Sequence, residues 1–210
     1  MKIKKLIKGN KKFKNSKFPK LENKFSDLVE YGQSPEVLFI GCSDSRVVPD
    51  LIVNSKPGDM FILRNIGNFV PPFKEDNEFH GSSAAIEYAV SVLNVKDIIV
   101  CGHSHCGACA ALYDDLSNEP NLIHVNKWLE LGKAAKDEVK LKFSDTIDLN
   151  TRATLTEKIS IKHQLENLLS YPEIARKVDL GELSIHGWYY KIEDGSIVYY
   201  DGDIDDFRPL

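Results

Sequence analysis

The sequence predicts an α/β fold with a mainly parallel central sheet flanked by helices. Short apolar runs at 37–40, 60–63 and 98–101 read as buried strands. Stretches with apolar residues at helical spacing lie between and after them. Parallel neighbours need long crossovers, and strands alternating with helices supply them.

Taken in order, the chain opens on a basic segment. Lys2, Lys4, Lys5, Lys8, Lys11, Lys12, Lys14, Lys17 and Lys20 crowd its start, with Ile3, Leu6 and Ile7 on one side of a helix. Leu21, Phe25, Leu28 and Val29 give a second helix, which Gly32 can cap. The run 37–40 ends at Gly41, and 60–63 follows the turn signal Pro57-Gly58-Asp59. Ser82 or Ser83 can start a helix carrying Ala85, Ile86, Ala89, Val90 and Leu93. After the strand at 98–101, residues 108–116 return as helix, 121–141 are helical, and 151–169 form a long helix ending near Tyr171-Pro172. Residues 183–190 and 197–200 flank Glu193-Asp194-Gly195, which reads as a hairpin.

The chain has 210 residues, 42% hydrophobic and 28% charged, without internal repeats or low-complexity linkers. These values suit one soluble domain over 1–210, with a Lys-rich helical arm at about 1–20. A net charge of -4 argues against nucleic acid as a general partner. The basic start alone could contact a polyanion or an anionic membrane, but a solvated amphipathic helix accounts for it. No apolar stretch approaches the ~20 residues of a membrane span, and no signal-like apolar segment follows the lysines. Four cysteines do not resemble a disulfide framework, so reduced thiols and a cytoplasmic setting are expected.

Two segments concentrate the chemistry: Gly41-Cys42-Ser43-Asp44-Ser45-Arg46 and Gly102-His103-Ser104-His105-Cys106-Gly107. Each follows a predicted strand, and open parallel sheets bind ligands beyond the carboxyl ends of their strands. Cys42, His103 and Cys106 make a set that zinc favours, and three protein ligands leave a coordination position for water. His105 could replace His103, although neighbouring residues face different ways. Cys42 and Cys106 could instead be small buried residues, the reading expected for Cys101 and Cys109. A four-cysteine structural site from Cys42, Cys101, Cys106 and Cys109 would ignore His103. His80, His124, His163 and His186 have no ligand-spaced partner. Asp44 and Arg46 share one face of an extended segment, where the guanidinium can hold the carboxylate beside the metal. Their alternative is a surface ion pair of little energetic weight.

The chain resembles the β-class carbonic anhydrases. The resemblance spans about 21–200 and rests on Cys42-Ser43-Asp44-Ser45-Arg46, Arg64-Asn65-Ile66-Gly67-Asn68, Ala85-Ile86-Glu87-Tyr88-Ala89 and Gly102-His103-Ser104-His105-Cys106-Gly107. It implies that fold and the reversible hydration of carbon dioxide to bicarbonate and a proton. It implies one Zn2+ per subunit on Cys42, His103 and Cys106, with Asp44 and Arg46 as a catalytic dyad. Gln33, Phe61, Ile66, Tyr88 and Gly107 match the family's substrate pocket. A homodimer or homotetramer is implied, with part of each pocket coming from the neighbouring subunit and the N-terminal helix embracing it. Phe39 departs from the pattern: some bacterial members have a tryptophan there, in an inhibitory bicarbonate site, and Phe lacks the indole N–H. Two thiolates and one imidazole formally neutralise the ion, so water should be acidified less than by a three-histidine centre, and activity should rise toward alkaline pH. Other readings are a related zinc hydrolase acting on CS2 or COS and a non-catalytic zinc-stabilised binding module.

Overall fold

The structure, a computed structural model, describes residues 3–76, 78–143 and 147–210. Lys2 of the basic start lies outside them. Helices α1 (Ile3–Lys12) and α2 (Glu22–Glu30) precede strand β1 (Val37–Cys42), the short helix α3 (Pro49–Ile52) and strand β2 (Met60–Asn65). Helix α4 (Gly81–Glu87) runs into a π-helical turn at Tyr88–Val92, followed by strand β3 (Asp97–His103) and helix α5 (Gly107–Ala111). Then come α6 (Ile123–Leu129), α7 (Lys133–Lys142), α8 (Leu149–Leu169), α9 (Pro172–Asp179) and strands β4 (Ser184–Tyr190), β5 (Ile197–Asp201) and β6 (Asp206–Pro209).

The strands form one sheet in the order β2-β1-β3-β4-β5-β6. The pairs β1/β2, β1/β3 and β3/β4 are parallel, whereas β4/β5 and β5/β6 are antiparallel. The register sets Gly41 beside Arg64 and Cys101, and Cys42 beside Asn65. Both chemical segments therefore leave the sheet at the same end.

Alternation along the strands divides the core. Leu38, Ile40, Ile98 and Val100 pack with Ile86, Val90, Ile161 and Leu168. Phe39, Ile99 and Cys101 form a separate buried cluster with Ile62, Trp188 and Tyr190 against it. Asp148 caps α8 by accepting from the backbone N–H groups of Asn150 and Thr151, each at 3.0 Å. Gly102 lets α8 lie close on β3: a Cβ there would fall 2.7 Å from Ile161 Cδ1. Along α1, Ile3, Leu6 and Ile7 are exposed.

The structure departs from the sequence expectations at several places. The run 60–63, expected as a buried strand, is the half-buried edge strand β2, because nothing pairs with its outer side among the described residues. The helix expected over 108–116 is α5, which ends at Ala111. Lys136 Nζ, from α7, donates to the Leu112 carbonyl at 2.5 Å, and Asp115 Oδ1 accepts from Ser117 N–H at 3.0 Å, so one long-range and one local bond replace the next helical turn. The helical stretch 121–141 divides into α6 and α7 around Gly132, where a Cβ would come within 2.7 Å of Phe69 Cζ. Pro172 ends one helix and also starts α9, because proline suits the first helical turn. Strand β6, at the sheet edge, adds a sixth strand beyond those the apolar runs predict.

The contact between β3 and α8 yields a first prediction. Gly102→Ala should destabilise the protein by about 1–3 kcal/mol in urea unfolding, the usual effect of overpacking. Adding Ile161→Val should recover part of that loss; an unchanged midpoint in Gly102→Ala would contradict the close approach.

Candidate metal centre

Cys42 ends β1 and is buried. His103 ends β3 and is fully buried. Beyond His103 the chain turns through Ser104 and His105, whose φ of 57° lies in the left-handed region. That reversal places Cys106 immediately before α5. The ligand-type atoms of Cys42, His103 and Cys106 lie within 4.8 Å of one another. Among the described residues this is the one such His, Cys, Asp or Glu group. Cys101 and Cys109 are outside it: Cys101 is buried among apolar neighbours, and Cys109 is buried beside Cys106.

His103 Nδ1 donates to the Ser104 carbonyl at 2.9 Å. The imidazole is thereby oriented with its other nitrogen as an acceptor. His103 Nε2 is buried and has no hydrogen-bond partner. A buried polar atom without a partner is costly, and a cation between the imidazole and the two sulfurs would satisfy it. The thiols meet the same requirement. The Cys106 neighbour and burial push Cys42 up to about 12. The Cys109 neighbour and burial push Cys106 up to about 12, against a lowering contact from Cys42. Two crowded sulfurs become thiolates together only beside a positive charge. This donor set fits zinc.

Asp44 and Arg46 stand at the rim. Asp44 Oδ1 accepts from Arg46 N–H at 2.9 Å and from Nε at 3.0 Å, while Oδ2 accepts from Nη2 at 2.7 Å. The guanidinium holds the Asp44 carboxyl well below the usual carboxylate range. Arg46 Nη2 also donates to the His105 carbonyl at 2.9 Å, joining the first turn to the second.

Neighbouring contacts absent from the sequence reading hold both turns. Arg64 Nε donates to the Cys42 carbonyl at 3.0 Å and Nη2 to the Asp44 carbonyl at 2.7 Å. Glu193 on the hairpin accepts from Ser104 Oγ at 2.8 Å and meets His105 Nε2 at 2.5 Å. Glu157, from α8, accepts from the Cys106 N–H at 2.8 Å. One signal for Glu157 was available: it shares the apolar face of α8 with Ile161, Leu165 and Leu168. Of the other histidines, His80, His163 and His186 pair with carboxylates and His124 is exposed.

The residues expected to line a pocket divide into two groups. Ile66 follows β2 at the sheet end where Cys42 lies, and Gly107 starts α5 directly after Cys106. Both are exposed. Phe61 pairs with Leu38, four positions before the Asn65–Cys42 pair. At ~3.3 Å per residue it is about 13 Å from the level of Cys42 along the strand. Tyr88 lies beside Phe61, ring centroids 5.9 Å apart. Gln33 is exposed in the segment before β1, at the strand's opposite end from Cys42.

Comparison with known proteins identifies the family. The profile of the family described as "Carbonic anhydrase" matches residues 37–197. A carbonic anhydrase of Synechocystis is 41% identical over 205 residues, covering 98% of this chain and 73% of that protein. Carbonic anhydrase 1 of Escherichia coli O157:H7 is 40% identical over 208 residues, covering 99% and 92%. The solved structure of the β-carbonic anhydrase CcaA superposes with a TM-score of 0.91 at 40% identity, covering 99% of this chain and 92% of that one. From the strand-end cysteines and histidine to the whole sheet, this chain belongs to the β-class carbonic anhydrase family.

Proposed function

We propose that this protein catalyses the reversible hydration of carbon dioxide to bicarbonate and a proton, as a zinc enzyme with Cys42, His103 and Cys106 as metal ligands. The observation carrying this reading is the unpartnered His103 Nε2 facing two thiols beside an ionised Asp44–Arg46 pair. A bound zinc ion supplies a Lewis acid that generates hydroxide from water near neutral pH.

The protein's own groups orient and deprotonate. Asp44 Oδ1 already accepts two hydrogen bonds, whereas Oδ2 accepts one. Oδ2 therefore keeps the lone-pair capacity to take a proton from the attacking water. Arg46 fixes the carboxylate plane and opposes its rotation toward the sulfurs, which would make Asp44 a fourth ligand. Arg64 keeps the backbone of Cys42 and Asp44 in place. Apolar Phe61, Ile66 and Tyr88 suit nonpolar carbon dioxide, and Gln33 and the Gly107 N–H offer donors to its oxygens. Because Phe61, Tyr88 and Gln33 are remote from the ligands within one subunit, we assign them to a partner's pocket in a homodimer or homotetramer. Support comes from a structural relative, one of two β-carbonic anhydrases of Sordaria macrospora described as tetrameric. That match has 30% identity and a TM-score of 0.82, and covers 94% of this chain and 95% of that one. The exposed apolar side of α1 is available to such a partner.

We take residues 1–210 as one catalytic domain with its N-terminal arm at about 1–20. Four free cysteines suit a reducing, cytoplasmic setting. No helix among the described residues is long and apolar enough to cross a membrane.

Cys42→Ser or Cys106→Ser should abolish stoichiometric zinc, read by metal analysis of purified protein. Asp44→Asn should retain zinc and lose about 10²–10⁴-fold in stopped-flow hydration, the scale of a lost general base. A normal rate in Asp44→Asn would remove the dyad from the mechanism. Sulfide release from CS2 or COS exceeding carbon dioxide hydration would assign the site to that other hydrolase chemistry.

The pH dependence has a definite sign. Asp44 titrates far below neutrality, so it stays ionised throughout the working range. Hydration should rise from about pH 7 to 9 as hydroxide becomes available. Asp44→Asn should keep that profile at a reduced rate. A flat wild-type profile, or a profile abolished by Asp44→Asn, would contradict the assignment.

A further inference from the structure

We propose that Glu157 is a positioning residue of the metal centre, acting through the backbone of Cys106. The inference rests on the ligand role proposed above for Cys106.

Glu157 is buried, and its two oxygens have different partners. Oε1 accepts from the Cys106 N–H at 2.8 Å, and Oε2 accepts from the Tyr189 hydroxyl at 2.7 Å. Tyr189 is itself buried and lies on β4, beside Gly102 of β3. The carboxylate thus joins α8, β4 and the ligand turn at a single point.

Cys106 needs such a tie. Its φ and ψ of −71° and 115° are extended, so its N–H falls outside the ladder of α5. Its carbonyl accepts from Ala110 N–H at 3.0 Å, which fixes the far side of the residue. With Glu157 holding the near side, both peptide groups flanking the Cys106 side chain are fixed. The direction of Sγ toward Cys42 and His103 follows from that restraint. The carboxylate is delivered by the close approach of α8 to β3, since Glu157 lies one helical turn before Ile161. The interaction requires an acceptor at Oε1, and the acceptor can be a carboxylate or an amide oxygen.

A merely structural Glu157 would affect folding without changing metal coordination. The test therefore follows the metal in full-length protein loaded with zinc or cobalt(II). Transfer of zinc to a colorimetric chelator should be about 10–100-fold faster in Glu157→Ala, the usual scale for removing a group that orients a metal ligand. Its cobalt(II) visible bands should shift. Glu157→Asp withdraws the carboxylate by one methylene and should behave likewise, which keeps the test intact if Glu157→Ala fails to fold. Glu157→Gln keeps the acceptor and should stay within about threefold of wild type. Wild-type metal release and cobalt(II) bands in Glu157→Asp would overturn the inference alone. A wild-type protein that takes up neither metal would overturn the ligand reading and this inference together.

Discussion

Side-by-side parallel pairing of β1 and β3 is the constraint on which the site depends. Cys42 and His103 are far apart in sequence, yet the register sets Gly41 beside Cys101. Two strands running the same way must release their chains at the same edge. The hydrophobic faces that secure this register contain no ligand: Leu38, Ile40, Ile98 and Val100 on one side, Phe39, Ile99 and Cys101 on the other. A slip of one residue would exchange those faces, so core packing fixes where Cys42 and His103 stand relative to each other.

The polar groups at that edge are arranged by what they leave unmade. Most buried polar atoms have hydrogen-bond partners, and His103 Nδ1 follows the rule through the Ser104 carbonyl. His103 Nε2 departs from it while facing two sulfurs. Two thiols at this spacing resist joint ionisation, and a lone imidazole acceptor finds no donor. A divalent cation would resolve both frustrations at once. The ordinary electrostatics lie outside this centre, where Asp44 and Arg46 satisfy each other at a partly exposed rim.

Much of this was legible because parallel strands are written as continuous apolar runs; 37–40 and 98–101 are such runs in the buried middle of the sheet, and 60–63 is one at its half-buried edge. Reading stopped where a distant residue decided the outcome. Nothing near Ala111 announces that Lys136 will take the Leu112 carbonyl. Strand β6 has little apolar pattern and is held at the edge through pairing with β5. The grouping of Cys42, His103 and Cys106 could be anticipated from strand ends and spacing. The supports could not: Arg64 acts through backbone carbonyls, and Glu193 sits in a segment whose composition signals only a turn. Glu157 left a trace, a carboxylate on the apolar face of a long helix, whose meaning depends on the turn packed against it.

The two turns are not independent parts. Arg46 binds Asp44 through its backbone and guanidinium and reaches the His105 carbonyl between the two second-turn ligands. His105 is held in a left-handed conformation, with Glu193 engaging both its ring and the preceding Ser104 hydroxyl. A displacement of the hairpin would therefore be felt first at Ser104 and His105. From there it would pass through Arg46 to the Asp44 carboxylate. The residues that shape the Cys42, His103 and Cys106 cluster also orient Asp44, because a single guanidinium spans both turns. Asp44 and the Cys42, His103 and Cys106 cluster are thus set by one connected network: α8 and the hairpin hold the second turn, and Arg64 holds the first.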